Sequence, residues 1–428
     1  MKVHFHTFGC KVNQYETAAM ERFFEEAGFT VVQSDEEADV AVINSCSVTA
    51  SGDQKSLRRL RQCRRAGLIT VLCGCYPQAF PDRAGEIFEA DIVAGNADRA
   101  ALPRLVTDFA ASHERVVDIP PHLKGELFEP LGAGQPDGRT RAFLKVEDGC
   151  ERYCSYCIIP YARGRIRSLP PQEIRRQAGQ IAAAGYRELV LTGINLSCYG
   201  RDLGLDVADA LDACSVDGIV RVRFGSLEPD LLSDAIIARL AANPKLCRHF
   251  HLALQSGSEQ TLRAMRRRYT AAQYRAVAEK LRAAFPDCTL TTDVIVGFPG
   301  ETEEAFLESA DFVRSMGFLK VHIFPYSRRP GTPAADMKEQ LSRAEKEARA
   351  AHLNAVCAES RQAILRAAVG RTVRVIAEAP DSNGLLTGVT DQYHPVLLPG
   401  SGIAVGDIVT GTATGLAGDR LIVEAGGQ

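Results

Sequence analysis

The alternation between Phe143 and about Pro325 restricts the fold of this chain most. Six short runs suited to strands occur there: Phe143–Lys145, Glu188–Thr192, Arg221–Gly225, His249–Leu254, Leu290–Gly297 and Lys320–Phe324. Segments rich in Ala, Leu and Arg separate them and suit helices. Strands alternating with helices build a parallel sheet covered by helices. Six such units predict an α/β fold centred on an open or partial (β/α)6 barrel, with its chemistry at the carboxyl ends of the strands.

The flanking sequence behaves differently on either side. Val3 to Phe8 reads as a strand, Tyr15 to Ala27 as a helix, Asp39 to Asn44 as a buried strand, Ser51 to Ala66 as a helix and Ile69 to Cys73 as a further strand. These predict an N-terminal parallel-sheet α/β domain over residues 1–124. Residues 125–141 (GELFEPLGAGQPDGRTR) have no period and many Gly and Pro, which suits a linker. The barrel with a long helix, Leu341 to Val369, takes residues 142–369. Gly370 ends that helix. Residues 370–428 hold short Val/Ile-rich strands between Gly, Pro and Asp turns, as in a small C-terminal β-barrel of OB-like type. At 428 residues, two or three domains are expected. No apolar run approaches the ~18 residues of a membrane span, and no export signal opens the chain, so a cytoplasmic protein without a membrane partner is expected. The 13 cysteines are odd in number and dispersed, which favours metal or catalytic roles over cross-links.

Directly after the first barrel strand comes GCERYCSYC, with Cys150, Cys154 and Cys157 in C-x3-C-x2-C spacing. A cubane cluster has four irons, each wanting an outer ligand. Three thiolates leave one iron free to chelate the amino and carboxylate groups of S-adenosylmethionine, whose reductive cleavage gives a 5′-deoxyadenosyl radical. A structural zinc loop is the competing reading, but it needs a fourth ligand at matching spacing. The spacing, with Tyr156 before the last cysteine, resembles the signature of the radical S-adenosylmethionine superfamily. By that resemblance the strand end Thr192-Gly193-Ile-Asn195 contacts the methionine amine. Glu228 after RVRFGS and Gln255 after HLAL suit ribose or carboxylate contacts. Gly193 also reads as a plain turn, and Glu228 as a helix-start charge before Pro229.

Three more cysteines share a position. Cys10 follows VHFHTF, Cys46 follows DVAVINS and Cys75 follows ITVLCG, each at the carboxyl end of a strand, where open α/β sheets bind ligands. Three thiolates without a fourth again suit a cluster with an open iron. Cys63, Cys73, Cys198, Cys214, Cys247, Cys288 and Cys357 read as bystanders, since cysteine is often a small buried hydrophobe.

With TFGCKVNQYE, INSCSVT, CGCYPQ, LTGINLSCYG, HLALQSGSEQTLRAMRRRYT, DVIVGFPGETEEAF and FPYSRRPGTPAADM, the chain resembles the radical S-adenosylmethionine methylthiotransferases over essentially its full length. The GCKVNQYE form is most similar to the bacterial enzymes acting on N6-threonylcarbamoyladenosine. Ala253 departs from the family's usual proline in HLPLQSGS. The resemblance implies two 4Fe-4S clusters, S-adenosylmethionine and a terminal TRAM-like RNA-binding domain. It further implies methylthiolation of carbon 2 of N6-threonylcarbamoyladenosine at position 37, in a tRNA anticodon stem-loop. One S-adenosylmethionine methylates a sulfur held at the N-terminal cluster and a second is cleaved at the other. A low-potential donor such as flavodoxin or ferredoxin, and a sulfur source, complete the partners.

Arginines and lysines that suit phosphate contacts are Lys55, Arg58, Arg59, Arg61, Arg64 and Arg65, Arg163, Arg165 and Arg167, and Arg266, Arg267 and Arg268; solvated helix faces are the plainer reading. Residues 371–428 carry three Arg against six Asp or Glu, unusual for an RNA module, which therefore either meets RNA by shape or supports the barrel. Alternative functions are modification of isopentenyl-adenosine or of a ribosomal-protein aspartate, a cobalamin-dependent methyltransferase (no Asp-x-His-x-x-Gly is present), and a non-catalytic redox-sensing RNA binder.

Overall fold

The computed structural model describes residues 1–132, 140–400 and 402–426. Much of the expected linker, residues 133–139, lies outside the described residues. The first domain is a six-stranded, wholly parallel sheet made of β1 (Lys2–Thr7), β2 (Thr30–Val31), β3 (Val40–Ser45), β4 (Ile69–Gly74), β5 (Ile92–Ala94) and β6 (Val116–Asp118). Their order is β2-β1-β3-β4-β5-β6. The strand β3 is buried along its whole length: Val40 and Val42 enter one apolar cluster, Ala41 and Ile43 the other. A continuous apolar run rather than strict alternation is what a strand covered on both faces requires. Because β1 and β3 are neighbours, the strand order reverses between them, and the crevice at that point opens at the carboxyl edge.

The second domain has the expected parallel order. Strands β7 (Arg141–Lys145), β10 (Glu188–Thr192) and β11 (Arg221–Phe224) form one sheet; β12 (Ser226–Leu227), β13 (His249–Leu252), β14 (Thr289–Val296) and β15 (Lys320–Pro325) form another. The third expected strand is thus divided at Gly225, its first half pairing with β10 and its second with β13. This division turns a flat sheet into a curved wall, open between β7 and β15. The helix Lys11–Glu26 packs on β7, burying Tyr15 and Ala19 in the barrel's own core. A two-residue pair, β8 (Glu147–Asp148) with β9 (Arg167–Ser168), closes the base of the loop holding the second-domain cysteines.

Ser342 caps the helix Arg343–Ala368 through a reciprocal box with Glu345. Leu353 and Val356 of this helix sit in the barrel core, and Leu365 and Ala368 in that of the last domain. That domain is a closed barrel of β16 (Thr372–Pro380), β17 (Leu386–Thr390), β18 (Pro395–Leu398), β20 (Arg420–Ala425) and β19 (Ile408–Ala417). It docks on the amino ends of the central strands, opposite the cysteines. Arg221 donates to the Val389 carbonyl (3.0 Å) and Asp391 Oδ1 (2.8 Å), and Arg223 to the Thr390 carbonyl (3.0 Å). Glu188 holds both guanidiniums. Burial alone would raise its carboxyl, but Arg223, Arg221 and Arg141 outweigh it and hold the group down to about 2.

His394 in this domain is buried, and neither ring nitrogen has a hydrogen-bond partner among the described residues. Burial, helped by Arg371, lowers it to about 4. An imidazole with a depressed folded value binds its proton better when unfolded, so stability falls as pH drops from about 6.5 to about 4. The expected loss is about 3 kcal/mol, and it will be absent in His394→Phe when unfolding midpoints of the two proteins are compared across that range.

Candidate active site

Cys150 begins a loop whose shape is set by main-chain bonds. Its N–H donates to the Gly164 carbonyl (3.0 Å), that of Ser155 to the Met265 carbonyl (3.0 Å) and that of Cys157 to the Cys154 carbonyl (3.0 Å). Cys150 and Cys157 lie near enough to Cys154 for its charge to raise their proton affinity; burial is the larger cause and lifts Cys150 to about 11. Metal binding must therefore displace protons here, which a multivalent cationic cluster does and a lone neutral ligand does not. Cys198 is also close to Cys150, but it is wholly buried, and burial pushes it up to about 12.

The other triple sits at the carboxyl ends of three adjacent strands, with Cys10 after β1, Cys46 after β3 and Cys75 after β4. Gly9 has φ +104°, and a Cβ there would lie 2.5 Å from both Cβ and Sγ of Cys46, so only glycine lets these two loops meet. Asn13, not singled out by the sequence, joins them: its amide nitrogen donates to the carbonyls of Phe8 (2.8 Å) and Ser45 (2.9 Å). Burial and the nearby Cys75 push the Cys46 thiol up to about 12.

Each triple receives one buried guanidinium. Arg163 Nε lies 3.3 Å from Cys75 Sγ, and Arg267 Nη1 lies 3.2 Å from Cys154 Sγ. Glu16 holds Arg163 and Glu228 holds Arg267. These arginines, with Arg167, were expected on a phosphate-binding surface; the structure corrects this. Arg163 is 0% exposed and Arg167 is paired with Glu126 at 2.9 Å, while Arg165 between them has a side chain 61% exposed. Glu16, 147 residues before Arg163, also binds Arg99 and Lys145.

The other residues singled out from sequence gather around the second-domain triple. Asn195 donates its main-chain N–H to Glu147 Oε2 (2.7 Å), and its side-chain nitrogen lies 3.9 Å from Cys150 Sγ. Thr192 accepts at its carbonyl from Val146 N–H (2.9 Å), and a Cβ on Gly193 would come within 2.6 Å of Glu147 Oε2. Glu147 Oε1 and Asn195 Oδ1 are buried without a hydrogen-bond partner among the described residues. Burial holds the Glu147 carboxyl well above its usual range, against the Asn195 N–H. Glu228 points at Arg267, with Arg152 Nη2 at 3.8 Å. Gln255 occupies a positive φ of 68°, bonded on both sides to β14 through Asp293 and Ile295, a conformation that persists only where surroundings enforce it.

Tyr156 and Gln255 line a cavity of about 190 Å³ that joins the two domains. Its walls are Ser47–Thr49 just after Cys46, Tyr156–Ile159 including Cys157, and the carboxyl ends of β14 and β15. The Ala50 N–H donates to Ser327 Oγ (2.9 Å), and Arg329 pairs with Asp53 (2.6 Å), tying the domains beside it. The cavity is thus walled by residues directly adjoining both triples. The site's donor set fits the expected groups: three thiols per site, and orphaned buried acceptors beside Cys150 suited to an ammonium.

Residues 144–313 match the radical SAM superfamily, and residues 2–95 match a family described as uncharacterized protein family UPF0004. The threonylcarbamoyladenosine tRNA methylthiotransferase MtaB of Bacillus subtilis is 38% identical over 95% of this chain and 92% of its own length. The tRNA-2-methylthio-N(6)-dimethylallyladenosine synthase of Pelotomaculum thermopropionicum is 33% identical over 95% and 94%. Among solved structures, the radical S-adenosylmethionine methyltransferase TsrM from Kitasatospora setae aligns with TM-score 0.59 at 15% identity, covering 78% of this chain and 76% of that one, a likeness of fold alone. Two cysteine triples, on an α/β domain and a partial barrel, with one cavity walled by residues adjoining both, together with these relatives place the chain in the radical S-adenosylmethionine tRNA methylthiotransferase family, enzymes that use S-adenosylmethionine and two 4Fe-4S clusters.

Proposed function

We propose that this enzyme methylthiolates carbon 2 of N6-threonylcarbamoyladenosine at position 37 of tRNA, consuming two S-adenosylmethionine molecules. The single observation that carries the reading is the cavity walled by Cys157 of one triple and by the residues just after Cys46 of the other. A base seated there touches both sites at once, as attachment of sulfur at a carbon without polar activation demands. When bound, the clusters and S-adenosylmethionine supply the one-electron chemistry.

This chain's residues then hold, orient and shield. Cys150, Cys154 and Cys157 hold the cluster of the barrel; Cys10, Cys46 and Cys75 hold the other. Glu147 and Asn195 accept from the methionine ammonium at the strand end Thr192–Asn195, which Gly193 lets pass close. Glu228 acts through Arg267, and Tyr156 and Gln255 bound the base side of the cavity. Electrons come from a flavodoxin- or ferredoxin-like donor and sulfur from a separate source, in the cytoplasm; no helix among the described residues is long and apolar enough to cross a membrane.

Of six cations on the helix Ala50–Arg65, Arg59, Arg61 and Arg64 are paired with Asp35, Glu89 and Asp91, whereas Lys55, Arg58 and Arg65 are exposed. This helix starts at the cavity wall, so the three cations, unpaired among the described residues, suit the RNA backbone around an inserted base. Replacing all three by Ala will weaken tRNA binding and flatten the dependence of log K on log salt by ~0.7–0.9 per lost contact. An unchanged slope rejects them as phosphate contacts.

Nucleoside mass spectrometry tests the function. Deleting the gene should abolish 2-methylthio-N6-threonylcarbamoyladenosine, and complementation should restore it. Loss of the isopentenyl-adenosine product instead would assign the other substrate.

A further inference from the structure

Alternation along β1 sends Val3 and Phe5 into one apolar cluster and leaves His4 and His6 on the opposite face of the sheet. Neither imidazole belongs to the candidate active site. Asp35, in the loop between β2 and β3, meets both: its Oδ1 lies 2.6 Å from His4 Nδ1 and 2.7 Å from His6 Nε2. The helix Ala50–Arg65 brings Cys63, which is 0% exposed, to the same point. Cys63 Sγ lies 3.4 Å from Asp35 Oδ2 and 3.8 Å from His6 Nε2.

Two imidazoles, a carboxylate and a thiol thus converge from a strand, a loop and a helix. The ligand atoms of His4, His6 and Asp35 all lie within 4.8 Å of one another. A tetrahedral zinc, with bonds of ~2.0–2.3 Å, sets its ligands roughly 3.3–3.6 Å apart. The two thiol distances are already close to that, and the imidazole–carboxylate pairs need open by less than about 1 Å. A set of two nitrogens, one oxygen and one sulfur suits zinc and not calcium or magnesium, which take oxygen alone. The side chains of His4, His6 and Asp35 are 16%, 12% and 18% exposed, so an ion can enter from solvent. One group opposes it: Arg59 Nη2 lies 2.6 Å from Asp35 Oδ2. That arginine side chain is 34% exposed, and its long stem lets the guanidinium swing into water.

We propose that His4, His6, Asp35 and Cys63 form a structural zinc site that clamps the Asp35 loop and the helix Ala50–Arg65 onto β1. Four protein ligands close the site, which marks it as structural and not catalytic. On binding, the thiol proton leaves, each imidazole keeps its proton on the ring nitrogen turned away from the metal, and Arg59 gives up Asp35. The clamped helix is the one whose first residue, Ala50, bonds Ser327 across the domain boundary.

The test equilibrates holoenzyme, both clusters loaded, with zinc chloride, removes the excess and counts both metals. The wild type should keep about one zinc per chain beside about eight irons. X-ray absorption at the zinc edge should show one sulfur among the nearest atoms. His4→Ala should keep no zinc at unchanged iron, and Cys63→Ser should lose that sulfur or the metal. Zinc should raise the unfolding midpoint of the wild type and not that of His4→Ala. Arg59→Gln should tighten zinc binding by about tenfold in competition with a chelator, because a like charge leaves the site. Absence of retained zinc, or equal retention in His4→Ala, overturns the site. So does a zinc bound by three sulfurs, which would sit in a cysteine triple, or by none.

Discussion

Anaerobically reconstituted Cys150→Ala enzyme will hold about four irons per chain instead of about eight, and will release no 5′-deoxyadenosine from S-adenosylmethionine. The reason lies in the loop geometry. Hydrogen bonds to Gly164, Met265 and Cys154 leave the three thiols as a fixed set, and no fourth thiol replaces the first without moving that backbone. Cys198 is nearest in kind, but it is held protonated in the core beneath the site. Cys75→Ala gives the complementary result: about four irons, reductive cleavage retained and methylthio transfer lost. Iron and sulfide assays with product analysis by mass spectrometry distinguish the two variants. Full cleavage activity in Cys150→Ala would remove the barrel triple from the chemistry.

Arg163→Met will cost roughly 3–5 kcal/mol of stability and will loosen the cluster of the other domain. Arg163 leaves the second-domain loop and crosses into the first domain, where Nη2 donates to Asn13 Oδ1 (2.9 Å) and Glu16 Oε2 (2.9 Å), and Nε faces Cys75. Burial would raise the Glu16 carboxyl, but Arg163, Arg99 and Lys145 together hold it far below its usual range. A carboxyl so depressed contributes stability that is present above about pH 4.5 and lost as pH falls through its folded value. Without Arg163 that contribution shrinks and Asn13, which holds the loops of Cys10 and Cys46 together, loses a partner. Arg163→Lys will not rescue fully, because a single ammonium cannot reach Cys75, Asn13 and Glu16 at once. Thermal unfolding midpoints and the rate of iron release to a chelator measure both effects. A midpoint equal to wild type would show that the arginine is dispensable.

How much was legible in the sequence can be judged residue by residue. The grouping of the cysteines was legible: Cys10, Cys46 and Cys75 each follow a strand whose carboxyl end a parallel sheet brings beside the others, and Cys150, Cys154 and Cys157 share one loop. The barrel was legible from six repeats of the same unit, although the break at Gly225 was not, since it depends on which neighbour each half-strand pairs with. Arg163 and Arg167 of ARGRIRS and Arg267 of MRRRY misled. A run of charges ordinarily marks a solvated face, and nothing local reveals that Glu16 or Glu228 will meet them. Glu147 carried no signal beyond its nearness to a cysteine, and Asn13 none beyond its place in GCKVNQYE.

Strand and helix, and the thiols at their junctions, follow from short-range rules: side-chain period, turn residues and the reach of a few bonds. Which charges enter the interior is decided otherwise. Arg163 and Arg165 differ by two positions, yet one is enclosed between domains and the other faces water, because desolvating a cation is tolerable only where a distant carboxylate has been carried to meet it.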